Sequence, residues 1–284
     1  MRRLAAVLSA AVLSVAGVVT IAQPAGAATG LRYVALGDSY SAASGNVPPD
    51  PSSPACLRST VNYPHVIAAA IKAQLTDVTC GAAETKDFTT SQYPGVAPQL
   101  DAVHSDTQLI TMTIGGNDSG VFIDSILECG AAGISTAGQG HPCQDRYGSS
   151  FVNTIRNTTY PSLVKALKAV RAKAPKARVA ILGYPWIVPA SGGCFPQLPI
   201  ASGDVPYLRN EQSVLNDAVR RAAAATGATY VDLSVVSNGH DACKPIGTRW
   251  IEPVVGGTNP VIVHPNALGE SKMAARTEQV LNLR

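Results

Sequence analysis

The chain has 284 residues, of which 46% are hydrophobic and 14% charged, and its formal net charge is +3. This composition excludes a disordered chain, and so small a net charge gives no electrostatic reason to expect nucleic acid as a partner. The length is sufficient for one large domain with a sizeable core.

The N-terminus has the pattern of a secretory signal peptide. Two arginines precede the apolar run Leu4–Ile21, and small residues at 25–27 match a cleavage site. The alternative is a transmembrane anchor, since the run approaches the minimum length for spanning, but Pro24 argues against it. We therefore expect cleavage of residues 1–27 and a single secreted, extracellular domain at 28–284.

Beyond the signal, apolar runs typical of strands alternate with segments that have helical spacing. In chain order the predicted elements are a strand at Leu31–Leu36, a helix at Asn62–Leu75, strands at Asp77–Cys80 and Gln108–Ile114, a helix at Phe151–Ala172, a strand at Ala177–Gly183, a helix at Val205–Thr226, a strand at Ala228–Leu233 and a helix at Pro265–Leu283. This alternation predicts an α/β fold with a five-stranded parallel sheet covered on both faces. Near-continuous Val, Ile and Leu runs fit strands buried on both sides.

Four segments rich in Gly, Pro and Ser are predicted to be loops: Ala43–Thr60, Gly130–Tyr147, Ile187–Asp204 and Val236–Pro260. The chain has six cysteines, most of them in these loops: Cys56, Cys80, Cys129, Cys143, Cys194 and Cys243. An even number in an exported chain predicts disulfides, although six cysteines allow fifteen connectivities. No Cys-x-x-Cys or His-x-x-x-His pattern occurs, so we expect no metal site.

A serine follows the first predicted strand at a sharp turn. The strand runs directly into Gly37-Asp38-Ser39, and the tip of a strand before a helix is where an α/β protein exposes a nucleophile. The alternative is that Ser39 only caps the following helix. Asp38 is interpreted as a brace of the turn that accepts backbone N–H bonds.

Two further blocks follow later strands. The Asn117 side-chain amide, in Gly115–Asp118, and the backbone N–H groups of Gly81 and Ser39 can stabilise an oxyanion. The alternative for the Asn117 segment is an ordinary turn. Because ligand crevices form outside the carboxyl ends of parallel strands, we expect these three residues to converge.

Of the five histidines, His264 is the preferred general base, with His240 second. His264 follows an apolar run and precedes Pro265 at a predicted helix start, which would hold the ring in one orientation. A serine hydroxyl needs such a base to accept its proton. The sequence therefore predicts a Ser39–His264 dyad.

The four blocks Ser39, Gly81, Asn117 and His264, in this order, resemble the SGNH (GDSL-type) hydrolase family. In that family an aspartate commonly lies three residues before the histidine, but Val261 occupies this position here. We therefore expect a main-chain carbonyl in Thr258–Ile262 to orient the ring. A remote acid, Asp241 or Glu252, is the alternative.

The resemblance is strongest to the secreted bacterial lipase and phospholipase-like esterases of the family. It implies a flavodoxin-like three-layer α/β/α domain, an acyl-Ser39 intermediate and no cofactor. It also implies nearest-neighbour disulfides, namely Cys56 with Cys80, Cys129 with Cys143, and Cys194 with Cys243. The implied partners are small-molecule or lipid esters and, transiently, lipid surfaces, with the protein a monomer.

The substrate is harder to predict than the chemistry. The uncharged loops Ala43–Pro54 and Ile187–Asp204 are expected to supply apolar crevice walls, including Trp186, Ile187, Val188, Phe195, Leu198 and Ile200. The alternative is that these residues merely pack beneath the Cys194 loop. A scarcity of aromatic residues, 5% of the chain, weakly favours lipid over carbohydrate. A carbohydrate O-acetyl esterase and a non-catalytic binding protein on the same fold are the competing hypotheses.

Overall fold

The structure is a computed structural model of the protein and describes residues 30–284. The predicted signal peptide at 1–27 lies outside the described residues. Buried apolar side chains from Tyr33 to Leu281 form one connected core. Among residues 30–284, no helix has both the length and the apolarity needed to cross a bilayer.

The centre of the fold is a five-stranded parallel sheet, as predicted. Its strands are β1 Arg32–Ala35, β2 Gln74–Asp77, β3 Leu109–Met112, β4 Arg178–Leu182 and β5 Thr229–Val231. They lie in the order β2-β1-β3-β4-β5. The strand order reverses between β1 and β3, and in open α/β sheets this switch point is where a crevice forms.

The second strand lies earlier in the chain than Asp77–Cys80, where the sequence predicted it. β2 spans Gln74–Asp77 and is an edge strand whose residues are exposed or half-buried in alternation. It therefore lacks the continuous apolar run of a central strand. The residues predicted as strand still run alongside β1 and the turn after it. The Val78 N–H donates to the Ala35 carbonyl and the Cys80 N–H donates to the Gly37 carbonyl, both at 3.0 Å.

Eight α-helices surround the sheet in the described part of the chain. They are α1 Ser39–Ala42, α2 Tyr63–Ile71, α3 Val121–Ser135, α4 Pro142–Tyr147, α5 Ser150–Thr154, α6 Tyr160–Lys173, α7 Val205–Thr226 and α8 Ala267–Leu281. A π-helical turn at Ile155–Thr159 joins α5 to α6, so the long helix predicted there is nearly continuous. Pairs α2–α8 and α6–α7 pack together, and right-handed crossovers place these pairs on opposite faces of the sheet.

The predicted loop at Gly130–Tyr147 is wrong over much of its length, since α3 and α4 occupy most of it. Its glycines were interpreted as loop residues, but Gly133 lies inside α3. A Cβ at this position would lie 2.2 Å from the Pro199 carbonyl oxygen. Glycine is needed here for close packing between a helix and a neighbouring segment, rather than for a turn.

Three disulfides connect Cys56 with Cys80, Cys129 with Cys143, and Cys194 with Cys243. This nearest-neighbour pairing confirms the expectation. The first bridge ties the end of the Pro54–Cys56 turn to the residues that follow β2. It thereby fixes two segments that border the carboxyl end of the sheet.

Candidate active site

Ser39 is the first residue of α1 and follows a tight turn that begins where β1 ends. The turn requires Gly37, whose φ is +123° and whose missing Cβ would lie 2.3 Å from the Thr113 carbonyl oxygen. Any larger residue would clash with the backbone that follows β3 and displace the turn. The glycine therefore sets the position of the serine relative to the sheet.

Asp38 is the residue that caps α1. Its carboxylate accepts the Tyr40 N–H at 3.0 Å and the Thr113 hydroxyl at 2.6 Å, and the Tyr184 hydroxyl donates to its second oxygen. Burial raises the pKa of Asp38 to about 6, against the opposing effect of these hydrogen bonds. The predicted role of Asp38 as a brace is confirmed, and the Ser39 side chain is left free of capping.

His264 reaches Ser39 from the opposite end of the chain. Its Nε2 atom lies 2.7 Å from the Ser39 Oγ, and its Nδ1 atom lies 2.7 Å from the Ile262 carbonyl oxygen. A carbonyl can only accept, so Nδ1 carries the proton and the Nε2 lone pair faces the hydroxyl. The ring is thus held in the tautomer that a general base for Ser39 requires.

Burial lowers the pKa of His264 below its usual 6.5, and the hydrogen bond to the Ile262 carbonyl offsets only part of this effect. A neutral imidazole is the form that can accept a proton. The environment therefore favours the basic form of the ring at neutral pH.

In residues 30–284, the His264 ring makes no hydrogen bond or ion pair to a carboxylate. The buried Glu252 carboxylate pairs with Arg249 at 2.7 Å and accepts the Thr258 N–H and the Asn266 Nδ2–H, each at 2.7 Å. Glu252 therefore braces the loop on both sides of the histidine.

The other proposed acid is also engaged elsewhere. The Asp241 carboxylate accepts the Cys243 N–H at 3.0 Å. Val261, at the position where the family commonly has aspartate, lines the same cleft as Ser39. The carbonyl that contacts the ring belongs to Ile262, within the range expected from the sequence.

The three expected oxyanion donors border one cleft with the serine and the histidine. Within residues 30–284, the Ser39 N–H has no hydrogen-bond acceptor. The Asn117 amide donates one N–H to the Ala83 carbonyl at 3.1 Å, and its second N–H remains available. The Gly81 N–H donates to the Cys56 carbonyl at 2.7 Å, so an oxyanion would share this donor with that carbonyl.

Tyr184 and Tyr40 are site residues that the sequence analysis missed. The Tyr184 hydroxyl accepts the Gly116 N–H at 2.9 Å and donates to Asp38, which joins the serine turn to the asparagine turn. The Tyr40 hydroxyl donates to the Val263 carbonyl at 2.6 Å. The position of Tyr184, two residues after β4, is the one signal that could have pointed to it.

The cleft around Ser39 encloses about 740 Å³, part of it open to solvent. Its walls are mostly apolar and include Ala55, Leu57, Ala82, Tyr93, Phe122, Ile123 and Val261. Asp118, beside Asn117, does not act in the cleft as a base, because both of its oxygens accept bonds from Thr85 at 2.7–2.8 Å. The cleft therefore combines a few polar groups, among them Ser39, Asn117 and His264, with a mostly apolar lining.

The expected walls from Ile187–Asp204 are wrong, because none of these residues lines the cleft. Ile187, Val188, Leu198 and Ile200 are buried, and the first two pack around a separate small cavity against α7. These four residues therefore belong to the core rather than to the cleft, whereas Phe195, from the same predicted wall, is 39% exposed and lies outside the cleft. From the predicted Ala43–Pro54 wall, Ser44 lines the cleft. The apolar contribution comes from Ala55 and Leu57, which follow that segment.

The second choice for the base, His240, does not line this cleft. Its ring stacks on Trp250 with 4.6 Å between centroids, and its Nδ1 atom lies 2.6 Å from the Thr248 carbonyl oxygen. Over residues 30–284, no group of three or more His, Cys, Asp or Glu side chains is arranged to hold a metal ion.

Comparisons with known proteins agree with this geometry. The family model of GDSL-like lipases and acylhydrolases matches residues 35–272. The chain is 63% identical over 264 residues to Lipase 2 of Streptomyces coelicolor, an alignment that covers 92% of this chain and 90% of the relative.

Solved structures give the same result. The crystal structure of an extracellular lipase from Streptomyces rimosus matches with a TM-score of 0.73 and 32% identity, covering 89% of this chain and 98% of that chain. Phospholipase A1 from Streptomyces albidoflavus matches with a TM-score of 0.72 and 32% identity, covering 88% and 97%. The chain therefore belongs to the GDSL-like lipase/acylhydrolase family, as its motifs indicated, and it is a carboxylic ester hydrolase.

Proposed function

We propose that this protein is a secreted serine esterase that hydrolyses carboxylic esters of lipids through a Ser39–His264 dyad. The observation that carries the proposal is the 2.7 Å contact between His264 Nε2 and Ser39 Oγ. The bond from His264 Nδ1 to the Ile262 carbonyl supports it, because it selects the reactive tautomer.

In the first half-reaction, Ser39 Oγ attacks the ester carbonyl carbon while its proton passes to His264 Nε2. The resulting oxyanion is stabilised by the Ser39 N–H and the Asn117 amide, with the Gly81 N–H as a shared third donor. The tetrahedral intermediate collapses, the His264 proton goes to the departing alcohol, and the acyl group remains on Ser39.

In the second half-reaction, water replaces the alcohol. His264 accepts a proton from the water as the water attacks the acyl carbonyl, then returns the proton to Ser39 Oγ as the carboxylic acid leaves. The Ile262 carbonyl orients the imidazolium but carries no full negative charge. It therefore stabilises the cation less than a carboxylate would, at some cost in nucleophile activation.

The mostly apolar walls of the cleft favour an acyl chain as the bound group. The names of two similar proteins, a lipase and a phospholipase A1, point to the same substrate class. Secretion is supported by the signal-like N-terminus, by three disulfides and by the similarity to the lipase of Streptomyces rimosus, which is extracellular.

The proposal is tested with a nitrophenyl alkylphosphonate, which traps a nucleophilic serine. We expect stoichiometric loss of activity and a mass increase on the peptide that contains Ser39, whereas Ser39→Ala should be inactive and should gain no mass. An unlabelled Ser39 in active protein would overturn the mechanism. Complete resistance together with no esterase activity would favour the binding-protein hypothesis.

A series of nitrophenyl esters separates the two candidate substrate classes. We expect kcat/KM to rise from acetyl to medium-chain esters, because longer acyl chains bury more apolar surface in the cleft. A sharp fall beyond acetyl would instead favour a carbohydrate O-acetyl esterase.

A further inference from the structure

We propose that an exposed apolar stripe on α3 is a docking face for a neutral or zwitterionic lipid surface. The stripe consists of Ile123, Leu127 and Ile134, and exposed Leu57 lines the same cleft as Ile123. This inference rests on the proposed action on lipid esters, and it adds the surface through which such substrates are reached.

The stripe is a property of one helix face. Ile123, Leu127 and Ile134 are 37%, 53% and 63% exposed, whereas Phe122, Ile126 and Cys129 of the same helix are buried. At 3.6 residues per turn, positions separated by four and eleven residues lie on the same side of a helix. The stripe therefore extends along about 16 Å of the axis.

The stripe begins at the cleft that contains Ser39. Ile123 lines that cleft, and so does Leu57, which is 58% exposed on the segment held by the Cys56–Cys80 bridge. An acyl chain that leaves a lipid surface at this mouth could pass directly onto apolar walls without full exposure to water. Continuity between the stripe and the cleft is the reason to place substrate-bearing lipid, rather than another partner, on this face.

The charges around the stripe specify the kind of lipid. α3 has no lysine or arginine, and its exposed polar positions include Asp124 and Glu128. Binding to anionic membranes normally uses clusters of basic residues, and acids beside the stripe would oppose it. The face is therefore suited to neutral or zwitterionic headgroups.

The helix that presents the stripe is firmly anchored. The Cys129–Cys143 bridge ties its middle to α4, and Gly133 packs closely against the Pro199 backbone. A docking face on an anchored helix can insert side chains without an ordering cost for the backbone.

Sedimentation with phosphatidylcholine vesicles tests the proposal. We expect the wild-type protein to partition onto the vesicles and Leu127→Ser/Ile134→Ser to show about tenfold weaker partition, because two apolar side chains no longer enter the interface. Neither residue lines the cleft, so kcat/KM for a soluble short-chain nitrophenyl ester should stay unchanged. Val235→Ser is the matched control, since Val235 is 69% exposed but lies outside the cleft and α3.

Three outcomes would overturn the proposal. One is equal partition of the wild-type protein and the double variant, or of the double variant and the Val235→Ser control. Another is wild-type binding confined to phosphatidylglycerol vesicles. The third is a wild-type dimer by light scattering that the double variant abolishes, which would assign the face to a second copy.

The single variants Leu127→Ser and Ile134→Ser, each checked by its thermal unfolding, repeat the test if the double variant fails to fold. Failure of the proposed function would appear separately, as absence of activity on the soluble ester in the wild-type protein.

Discussion

The Tyr40 hydroxyl donates a 2.6 Å hydrogen bond to the main-chain carbonyl of Val263. These two residues are the immediate neighbours of Ser39 and His264, so one buried bond joins α1 to the loop that carries His264 (the histidine loop). Val263 has a φ of +53°, a conformation that a β-branched residue rarely adopts. Its N–H is also held, by the Glu252 carbonyl at 3.0 Å.

Tyr40→Phe should therefore impair turnover more than substrate binding. Without the hydroxyl, the Val263 carbonyl loses its partner, and the histidine loop can move away from Ser39. We expect about a tenfold lower kcat, with KM changed less than twofold, and a loss of about 1–2 kcal/mol in unfolding free energy. Steady-state kinetics on a soluble ester and urea denaturation measure these two effects.

Tyr33→Phe is the matched control for that experiment. Tyr33 is also fully buried, and its hydroxyl bonds to Thr111 at 2.5 Å within the sheet, away from the histidine loop. We expect a comparable loss of stability with little change in kcat. Equal loss of kcat in both variants would mean that Tyr40 supports only the fold.

The pH profile should report the lowered pKa of His264. Burial disfavours the imidazolium, so the ring remains neutral, and active, at pH values where an ordinary histidine would be half protonated. We expect the acidic limb of kcat/KM, which reports the free enzyme, to have its midpoint below 6.5. A midpoint above 6.5 would contradict the carbonyl-oriented dyad, because a carboxylate beside the ring raises the pKa.

Glu252→Gln should destabilise the loop that carries His264. Burial alone would raise the pKa of Glu252, but hydrogen bonds from Asn266, Thr258 and Arg249 outweigh it and lower the pKa. Its contribution to stability is therefore present above the unfolded-state pKa and is lost as the pH falls through the folded-state value. At neutral pH we expect a loss of about 3 kcal/mol in unfolding free energy, measured by denaturation.

Asp241→Asn separates this bracing from the orientation of the ring. Its main contact is with the Cys243 N–H, and an asparagine oxygen can still accept that bond. We expect kcat/KM within about twofold of wild type. A loss as large as that of His264→Ala would show that a remote carboxylate orients the base.

The parallel sheet could be predicted because its central strands are continuous apolar runs. β1, β3 and β4 lie inside the predicted spans, whereas the edge strand β2 was misplaced because its exposed side chains break the run. No helix was predicted at α3. One reason is that Gly133 packs against residue 199, sixty-six positions away, and a glycine in the sequence was interpreted as a loop residue. A local pattern cannot indicate packing over such a distance.

The same limit applies to the site. Ser39, Asn117 and His264 lie on segments with local signals, a strand end or a helix start, and the structure brings them to one cleft. Tyr184 acts through a hydrogen bond to Asp38, which is 146 positions away in the sequence. Tyr40 acts through a hydrogen bond to the Val263 carbonyl, which is 223 positions away. Their roles depend on these tertiary contacts, and the position of Tyr184 just after β4 is the only local signal that pointed to either residue.

Glu211 should make the stability of the protein fall as the pH rises. Burial raises the pKa of Glu211 to about 8, partly opposed by the nearby Ser125 hydroxyl, and within residues 30–284 its Oε2 atom is buried without a hydrogen-bond partner. The folded state thus holds a proton that the unfolded chain releases above about 4.5. The free energy of unfolding is therefore expected to decline between about pH 4.5 and 8 on account of this group.

Glu211→Gln keeps the shape of the side chain and removes its titration. We expect it to raise the unfolding free energy by roughly 2–4 kcal/mol at pH 8 and by much less at pH 5. At pH 5 the solution is only slightly above the unfolded-state pKa, so little of the stability loss has accumulated. Urea denaturation at the two pH values measures this difference. A gain of equal size at both pH values would contradict the titration argument, because it would mean that the amide improves packing at every pH. The titration argument instead requires that the substitution removes a charge, which the small cavity between α3 and α7 that Glu211 lines cannot solvate.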